Sequence, residues 1–395
     1  MKIEVVKRIS EIAGADWDAL CGFDNPFVEH AFLALQEETK CTGPRTPWQP
    51  RHLIARGDDG SVVAAMPCYL RSDSYGEYIF DWSWAQAAAR AGVPYYPKLT
   101  SAVPFVPATG PRVLVKPGVD VDDARVSLGR ALMDLAVDEG ASSAHVLFCR
   151  DDEATVLAAA GMLRRTSMQF HWRNHATRPW TSFEEFLDAL KSEDRKQIRR
   201  ERRRVSESGV VIEVMTGAEV PAPMWKELFA LYTSTSDRKW GSPYLTRAFF
   251  EGIGRTLGDR ALVVVAKRDG KVIAMTLSFE KGQHIYGRHW GCTEEIPGLH
   301  FELCYYRLID RAVARGCTLV EAGAQGEHKL KRAFLPVVTH SLHQMVDRDF
   351  NRAIASFLKR EHDAVLEGLA ELAAHSPFKE GAAPDRPLVA GVDDL

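Results

Sequence analysis

Short stretches from the first half of the chain return, in the same order, in the second half. Ile3-Glu4-Val5-Val6 comes back as Ile212-Glu213-Val214-Met215, and Trp17-Asp18-Ala19-Leu20 as Trp225-Lys226-Glu227-Leu228. Residues 26–32 match 243–249, residues 59–64 match 269–274, and residues 78–82 align with 286–290. Last, the run 132–137, with Gly140 beyond it, lines up with 308–313 and Gly316. One such match would be chance, but six in order restrict the chain to two copies of one folding unit. The separation between partners is nearly constant through five matches and shortens at the sixth. The first copy therefore carries an extra segment, containing Tyr95-Tyr96-Pro97-Lys98, between its fourth strand and its next helix. The expected domains are residues 1–178 and 210–375, joined by a connector at 179–209 that belongs to neither. A tail at 376–395, rich in Pro, Gly and Ala, is expected to be mobile.

The pattern within each copy supports a definite element order. A strand leads into a helix carrying Trp17 or Trp225. Two strands then meet at an Asp-Gly turn, Asp59-Gly60 or Asp269-Gly270, which needs positive φ and marks a hairpin. In the second copy the strands are read at 261–267, 271–280 and 284–291. Residues 299–315 show helical spacing and stop before Gly316, and a short strand at 318–322 closes the unit. The fold class is α/β in the α+β sense: two tandem units, each a mixed, mostly antiparallel sheet flanked by helices, with a basic helical connector.

This order, β, α, three antiparallel strands, α, β, is that of the GNAT acyltransferase fold. Doubled, with a helical element between the copies, it resembles the Fem family of bacterial peptidoglycan aminoacyl ligases. More closely, FDWSWA, YYPKL, AVPFVPATG, RKQIRRERR, WGSPYLT, YGRHWG, LHFELCYY and GAQGEHKL are similar to the FemAB-like predicted N-acyltransferases. The resemblance runs from about His30 to Glu361. It implies transfer of an acyl or aminoacyl group to a small-molecule or peptide amine. The donor would be a co-substrate, aminoacyl-tRNA or acyl-CoA, and no tightly bound cofactor or metal is expected.

In a GNAT fold the strands before and after the long helix splay apart, and the gap can receive an acyl donor. In the second copy that corner holds Tyr286, Arg288, Trp290, His300, Glu302, Gln325, Glu327, His328, Lys329 and Arg332. The matching run of the first copy, 144–149, is mostly apolar, so the chemistry is expected in copy two or where it meets copy one. Acylating an amine requires a base, a charge stabiliser for the carbonyl oxygen and a proton for the leaving group. Glu302 or Glu327 are candidate bases and His300 or His328 base or acid. Arg288 and Lys329 are candidate charge stabilisers, and Tyr286 a proton donor. Glu302 reads equally as a solvated helix residue. The Fem pattern Lys-x-x-Phe fits Lys331 to Phe334, leaving Lys329 and Lys331 as alternative counterparts. Asp81, Tyr96, Lys98 and Trp240 are candidate substrate contacts, with an aromatic core as the plainer reading of the first three.

Acetyl-CoA enzymes of this class place a glycine-rich pyrophosphate loop before the long helix, whereas here the stretch is Glu294-Glu295-Ile296-Pro297-Gly298. The connector, Arg195 to Arg204, has seven basic residues in ten. Lys196, Arg199, Arg200 and Arg203 either form a solvated helix face or bind phosphates of tRNA or another anionic partner. Composition adds exclusions. Net charge is −3, with 50 Lys+Arg against 53 Asp+Glu, so any basic site is local. Seven scattered cysteines contain no C-x-x-C pair, which disfavours a disulfide framework or a zinc ribbon and suits a reducing, cytoplasmic setting. No apolar run reaches the ~18 residues a membrane helix needs. Two further readings remain open: a binding or regulatory protein that retains the fold, and an acetyl-CoA-dependent acetyltransferase. The oligomeric state is not read from the sequence.

Overall fold

A computed structural model describes the chain apart from residues 239–242, 324–325 and 385–395. It divides into two units, one of Met1–Ser167 with Thr339–Glu367, the other of Met168–Val338 with Gly368–Leu395. Unit 1 opens with β1 (Lys2–Val6), α1 (Gly14–Asp18) and α2 (His30–Glu38). Next come β2 (Trp48–Pro50), β3 (His52–Arg56), β4 (Val62–Met66), β5 (Cys68–Arg71), α3 (Trp82–Ala91), β6 (Lys98–Ser101) and β7 (Leu114–Val115). α4 (Val121–Asp138), β8 (Ser143–Cys149), α5 (Asp151–Ala159) and β9 (Leu163–Arg173) follow.

Unit 2 takes in the end of β9, then α6 (Phe183–Asp188), α7 (Ser192–Ser206), β10 (Val211–Thr216), α8 (Met224–Arg238) and α9 (Arg247–Thr256). β11 (Ala261–Arg268), β12 (Lys271–Lys281) and β13 (His284–Cys292) form its meander. α10 (Leu299–Phe301), a π turn (Glu302–Tyr306) and α11 (Arg307–Ala314) run on as one helix into β14 (Leu319–Glu321). β15 (Leu335–Met345) and α12 (Arg348–Ala374) are the last of the named elements. No helix among the described residues is long and apolar enough to cross a membrane.

The repeat is present as expected. β3 and β4 form one antiparallel hairpin, and β11 and β12 the other. The second turns at Asp269 and Gly270 with φ of 50° and 77°, the left-handed pair that an Asp-Gly turn supplies. Trp17 and Trp225 are both buried. Among the described residues each unit shows a parallel pair, β6 beside β8 and β13 beside β14, with a long helix in the crossover.

Four expectations need correction. Residues 78–82 are a loop running into α3, so the true counterpart of β13 is β6, and the extra segment precedes the fourth strand instead of following it. Residues 340–345, expected in copy two, pair with β8 in unit 1, while His171, Trp172 and Arg173 of copy one pair with β14 in unit 2. Sequence adjacency therefore does not set the units. The connector is no free spacer either: Phe186, Leu187, Leu190, Ile198 and Val205 are buried in the core of unit 2 with Trp172, Tyr306 and Phe334. The tail is held as far as it is described, since Phe378 stacks on Trp180 at 5.9 Å and bridges Leu190.

Candidate active site in the second unit

β13 and β14 pair over three positions only, His284 with Leu319, Ile285 with Val320 and Tyr286 with Glu321. β14 then ends, while β13 continues along β12 to Cys292. The two strands part at Tyr286, as the fold resemblance implies. Immediately beyond the fork, Ser278 faces Gly287 and Leu277 faces His289, which leaves Arg288 as the extra residue of a β-bulge. Bulges turn side chains out of the ladder and recur beside active sites. Gly287 fits the fork because a Cβ there would lie 3.2 Å from Leu308 and 3.5 Å from the Glu321 carbonyl.

The facing wall is the helix that starts after Gly298, whose φ of 89° suits glycine. Its π turn at 302–306 adds a residue to the turn and brings aromatic rings toward the loop after β14. Tyr305 Oη lies 2.9 Å from His328 Nε2. His300 sits 5.2 Å from the Trp290 ring, 5.5 Å from Tyr305 and 6.2 Å from His328. The Arg332 guanidinium lies over Phe301 at 3.3 Å and donates to the His328 carbonyl at 2.6 Å and to Glu201 at 2.7 Å. Tyr306 donates to the same Glu201. Trp290, His300, His328 and Arg332, far apart in sequence, thus form one cluster.

Lys329 lies 2% exposed, its Nζ donating to the Gly323 carbonyl at 2.8 Å. Burial brings its pKa down to about 8, Cys304 partly opposing and Arg288 adding to the fall. Lys331 is exposed, so the two alternative lysines separate by burial. His328 is likewise held below its ordinary value, by burial first and then by Arg332 and Lys329; the imidazole is neutral at pH 7. Burial pushes the Tyr305 hydroxyl above its usual range.

Other expected residues are placed differently. Glu302 is neither solvated nor a ready base: it is 2% exposed and ion-paired with Arg202 at 3.2 Å and Arg307 at 2.8 Å. A carboxylate shared by two guanidiniums braces the π turn onto α7. Tyr286 stands at the fork but is 1% exposed, its hydroxyl 3.2 Å from His284 Nδ1. On α7, Lys196, Arg199, Arg200 and Arg203 are exposed, with Arg199 beside Glu184, while Glu201 and Arg202 of the same helix face inward. Trp240 and Gln325 lie outside the described residues, as does the side chain of Glu327.

Lys98 and Asp81 are interior groups of unit 1, both 0% exposed. Lys98 Nζ reaches Asp81 at 2.5 Å, Glu77 at 2.6 Å and Ser74 at 2.8 Å, and Tyr96 Oη meets Ser74 at 2.8 Å. Lys98 and Asp81 are thus spent on one another and on Glu77 in the interior, while Tyr96 is half-buried.

The sequence assigned three groups no role at the forks. Glu201 was hidden in a run of cations. His171 of β9 stands opposite Glu321 at the fork, Nε2 to Oε2 3.9 Å. Arg112 explains why the first copy reads as plainer. β6 and β8 stop pairing at Ser101 and Val146, and Arg112 fills the space beyond. It donates to the carbonyls of Leu147 at 2.7 Å, Ala108 at 2.8 Å, Gly110 at 3.0 Å and Pro111 at 3.1 Å. The backbone at the fork of unit 1 is thereby consumed from within.

These features meet an independent comparison of sequence. The FemAB_like profile, described as peptidoglycan biosynthesis/recognition, matches residues 8–380. The chain belongs to the FemAB-like family. No curated protein sequence matches it. Solved structures align with this FemAB-like chain at low identity. FemX matches at a TM-score of 0.54 and 13% identity, covering 90% of this chain and 100% of its own. The C-terminal domain (DUF2156) of a putative lysylphosphatidylglycerol synthetase from Agrobacterium fabrum matches at 0.54 and 11%, covering 86% and 93%. A conserved protein of unknown function from Bacteroides thetaiotaomicron matches at 0.53 and 13%, covering 88% and 100%. At such identities the likeness is one of fold, and it extends over most of this chain.

Proposed function

We propose that this FemAB-like chain is an N-acyltransferase that works at the fork of unit 2. The single observation that carries the reading is the contrast between the two forks. Unit 1 fills its own with Arg112, whereas unit 2 sets there a bulged Arg288 and a buried lysine whose only hydrogen bond through Nζ, among the described residues, is to a carbonyl. The amine nitrogen attacks the donor's carbonyl carbon and a C–N bond forms. The carbonyl oxygen gains charge, which the Lys329 ammonium stabilises in a site of low dielectric. Neutral His328 takes the amine proton. The bond to the carrier then breaks, and the carrier oxygen or sulfur leaves with a proton.

Between the two donor classes, we favour aminoacyl-tRNA. The segment before α10 lacks a glycine-rich pyrophosphate loop, and α7 joins the corner to a cationic face. Its inner residues Glu201 and Arg202 hold Arg332 and Glu302, while its outer face presents Lys196, Arg200 and Arg203. The test is to incubate the full chain with charged tRNAs or acyl-CoAs and an amine-bearing peptide, and to detect amide by mass spectrometry. Lys329→Met should lower transfer at least about 100-fold, a loss of the size seen on removing one oxyanion donor. Replacing Lys196, Arg200 and Arg203 by Glu should weaken use of the RNA donor and flatten its salt dependence. Transfer from CoA thioesters that the triple replacement leaves untouched would move the donor assignment to CoA. Absence of transfer from every donor would leave a binding role and defeat the proposal.

A further inference from the structure

Unit 1 displays aromatic rings that amine acylation does not use. Between β5 and the first turn of α3, Tyr75 is 60% exposed, Phe80 50% and Trp82 39%. The Tyr75 and Trp82 rings lie 4.9 Å apart, tilted by 58°. Three large exposed rings in one short stretch, two of them in contact, run against the normal burial of such residues.

The loop that carries them is fixed in place. Gly76, Tyr78 and Phe80 have φ of 81°, 63° and 53°, a conformation that tyrosine and phenylalanine adopt only where their surroundings enforce it. The enforcement comes from beneath. Arg71 donates to the Tyr75 carbonyl at 2.7 Å and to Asp73 and Glu77, and Lys98 ties down Ser74, Glu77 and Asp81. A Cβ on Gly76 would come within 2.5 Å of Phe105. The inward residues are locked by charge and hydrogen bonds, and the outward rings are held in one arrangement. A surface prepared in this way loses little entropy when a ligand settles on it.

The chemistry around the rings selects the ligand. Residues 72–89 contain no Lys or Arg, so a nucleic acid, a phosphorylated group or an anionic membrane finds no countercharge in this stretch. Two of its carboxylates, Glu77 and Asp81, are buried and spent on Arg71 and Lys98. What remains at the surface is the ring faces, Ser72, Ser83 and Gln86, which stands one helical turn beyond Trp82 on α3 with Arg90 a turn further on; the part-exposed carboxylate of Asp73 is held by Arg71 at 3.0 Å. Aromatic faces flanked by a hydroxyl and a carboxamide match a pyranose, whose C–H face stacks on a ring while its hydroxyl or acetamido groups hydrogen-bond at the rim.

We propose that Tyr75, Phe80 and Trp82 form a binding surface for a neutral carbohydrate chain. This goes beyond the transfer reaction and does not depend on it. Calorimetric titration of the full chain with the tetramers of N-acetylglucosamine and of glucose tests it. At least one should bind with a Kd on the order of 1 mM or tighter, with affinity unchanged between low and high salt. Tyr75→Ala and Trp82→Ala, both surface changes, should each weaken binding by at least about tenfold while leaving the melting temperature within a few degrees. Absence of binding by both tetramers, or binding that both variants retain, overturns the proposal. So does adsorption to lipid vesicles or self-association that these variants abolish in place of sugar binding, since the rings would then serve that occupant.

Discussion

Replacing Lys329 by methionine separates the cost of this lysine from its use. Its ammonium is 2% exposed, and burial lowers the pKa from 10.5 to about 8. A fall of that size corresponds to about 3 kcal/mol of destabilisation of the charged form. Against this stands the hydrogen bond to the Gly323 carbonyl, worth about 1.5–3 kcal/mol when the donor is charged. Methionine removes both, so at pH 7 the variant should match or exceed the wild type in stability, by up to about 1–2 kcal/mol, while losing transfer. The pH dependence is the sharper measurement. Because the folded-state pKa lies below the unfolded one, the unfolded chain holds more protons between pH 8 and 10.5, and wild-type stability rises with pH in that window. The penalty is complete below about pH 8 and is relieved as pH approaches 10.5. Urea unfolding of both proteins at pH 7, 8, 9 and 10 should therefore show the wild type gaining up to about 3 kcal/mol relative to Lys329→Met. A difference that stays flat with pH, or a variant clearly weaker at pH 7, would mean that the lysine is a compensated ion. Its proposed role as a poised cation would then fail.

Three further outcomes are expected. Arg112→Met leaves the carbonyls of Leu147, Ala108, Gly110 and Pro111 without their donor; at about 1 kcal/mol or more each, the urea midpoint should drop by the equivalent of roughly 4 kcal/mol, and an unchanged midpoint would show that water already serves them. Gly291→Ala sets a Cβ 2.0 Å from the Leu231 carbonyl of α8 and should cost about 3 kcal/mol or more through overpacking. Gly270→Ala, with open space but φ of 77°, should cost only about 1 kcal/mol, and equal melting temperatures for these two variants would contradict the close packing of α8 on β13. Asp81 offers a test at acid pH: burial acts to raise its pKa, but Lys98 and Tyr95 bring it from 3.8 to about 2. The resulting stabilisation, about 2 kcal/mol, is present above pH 4 and lost as pH falls through about 2, a dependence that Asp81→Asn should remove.

The doubled fold was legible because the repeated letters sit where backbone geometry admits few residues. Asp269-Gly270 supplies two positive φ angles, and Trp17 and Trp225 fill buried positions that smaller residues would leave hollow. Similar letters misled where no such constraint acts. Residues 78–82 resemble β13 yet form a strained loop, while β6, which shares the parallel pairing of β13, has dissimilar letters. Geometry preserves the repeat there: Phe148 and Gly323 each lie two residues past the last parallel pair of their unit, with φ of 53° and 80°. The polar corner was legible as a cluster because aromatic and charged residues collected around one strand, one helix start and one loop. The role of each member was not, since a charge takes its meaning from partners that the local sequence does not display. Glu302 looked like a base until Arg202, a hundred residues earlier in the chain, proved to share it. Lys98 and Lys329 pose the same question and receive opposite answers. Both ammonium groups are buried, but Lys98 meets two carboxylates from 17 and 21 residues upstream, and the ion pairs lift its pKa above the ordinary value despite burial. Lys329 has no carboxylate partner among the described residues, only the Gly323 carbonyl, and its pKa falls. The difference between a structural cation and a poised one therefore rests on whether an anion folds into reach, and pairing across the chain decides that.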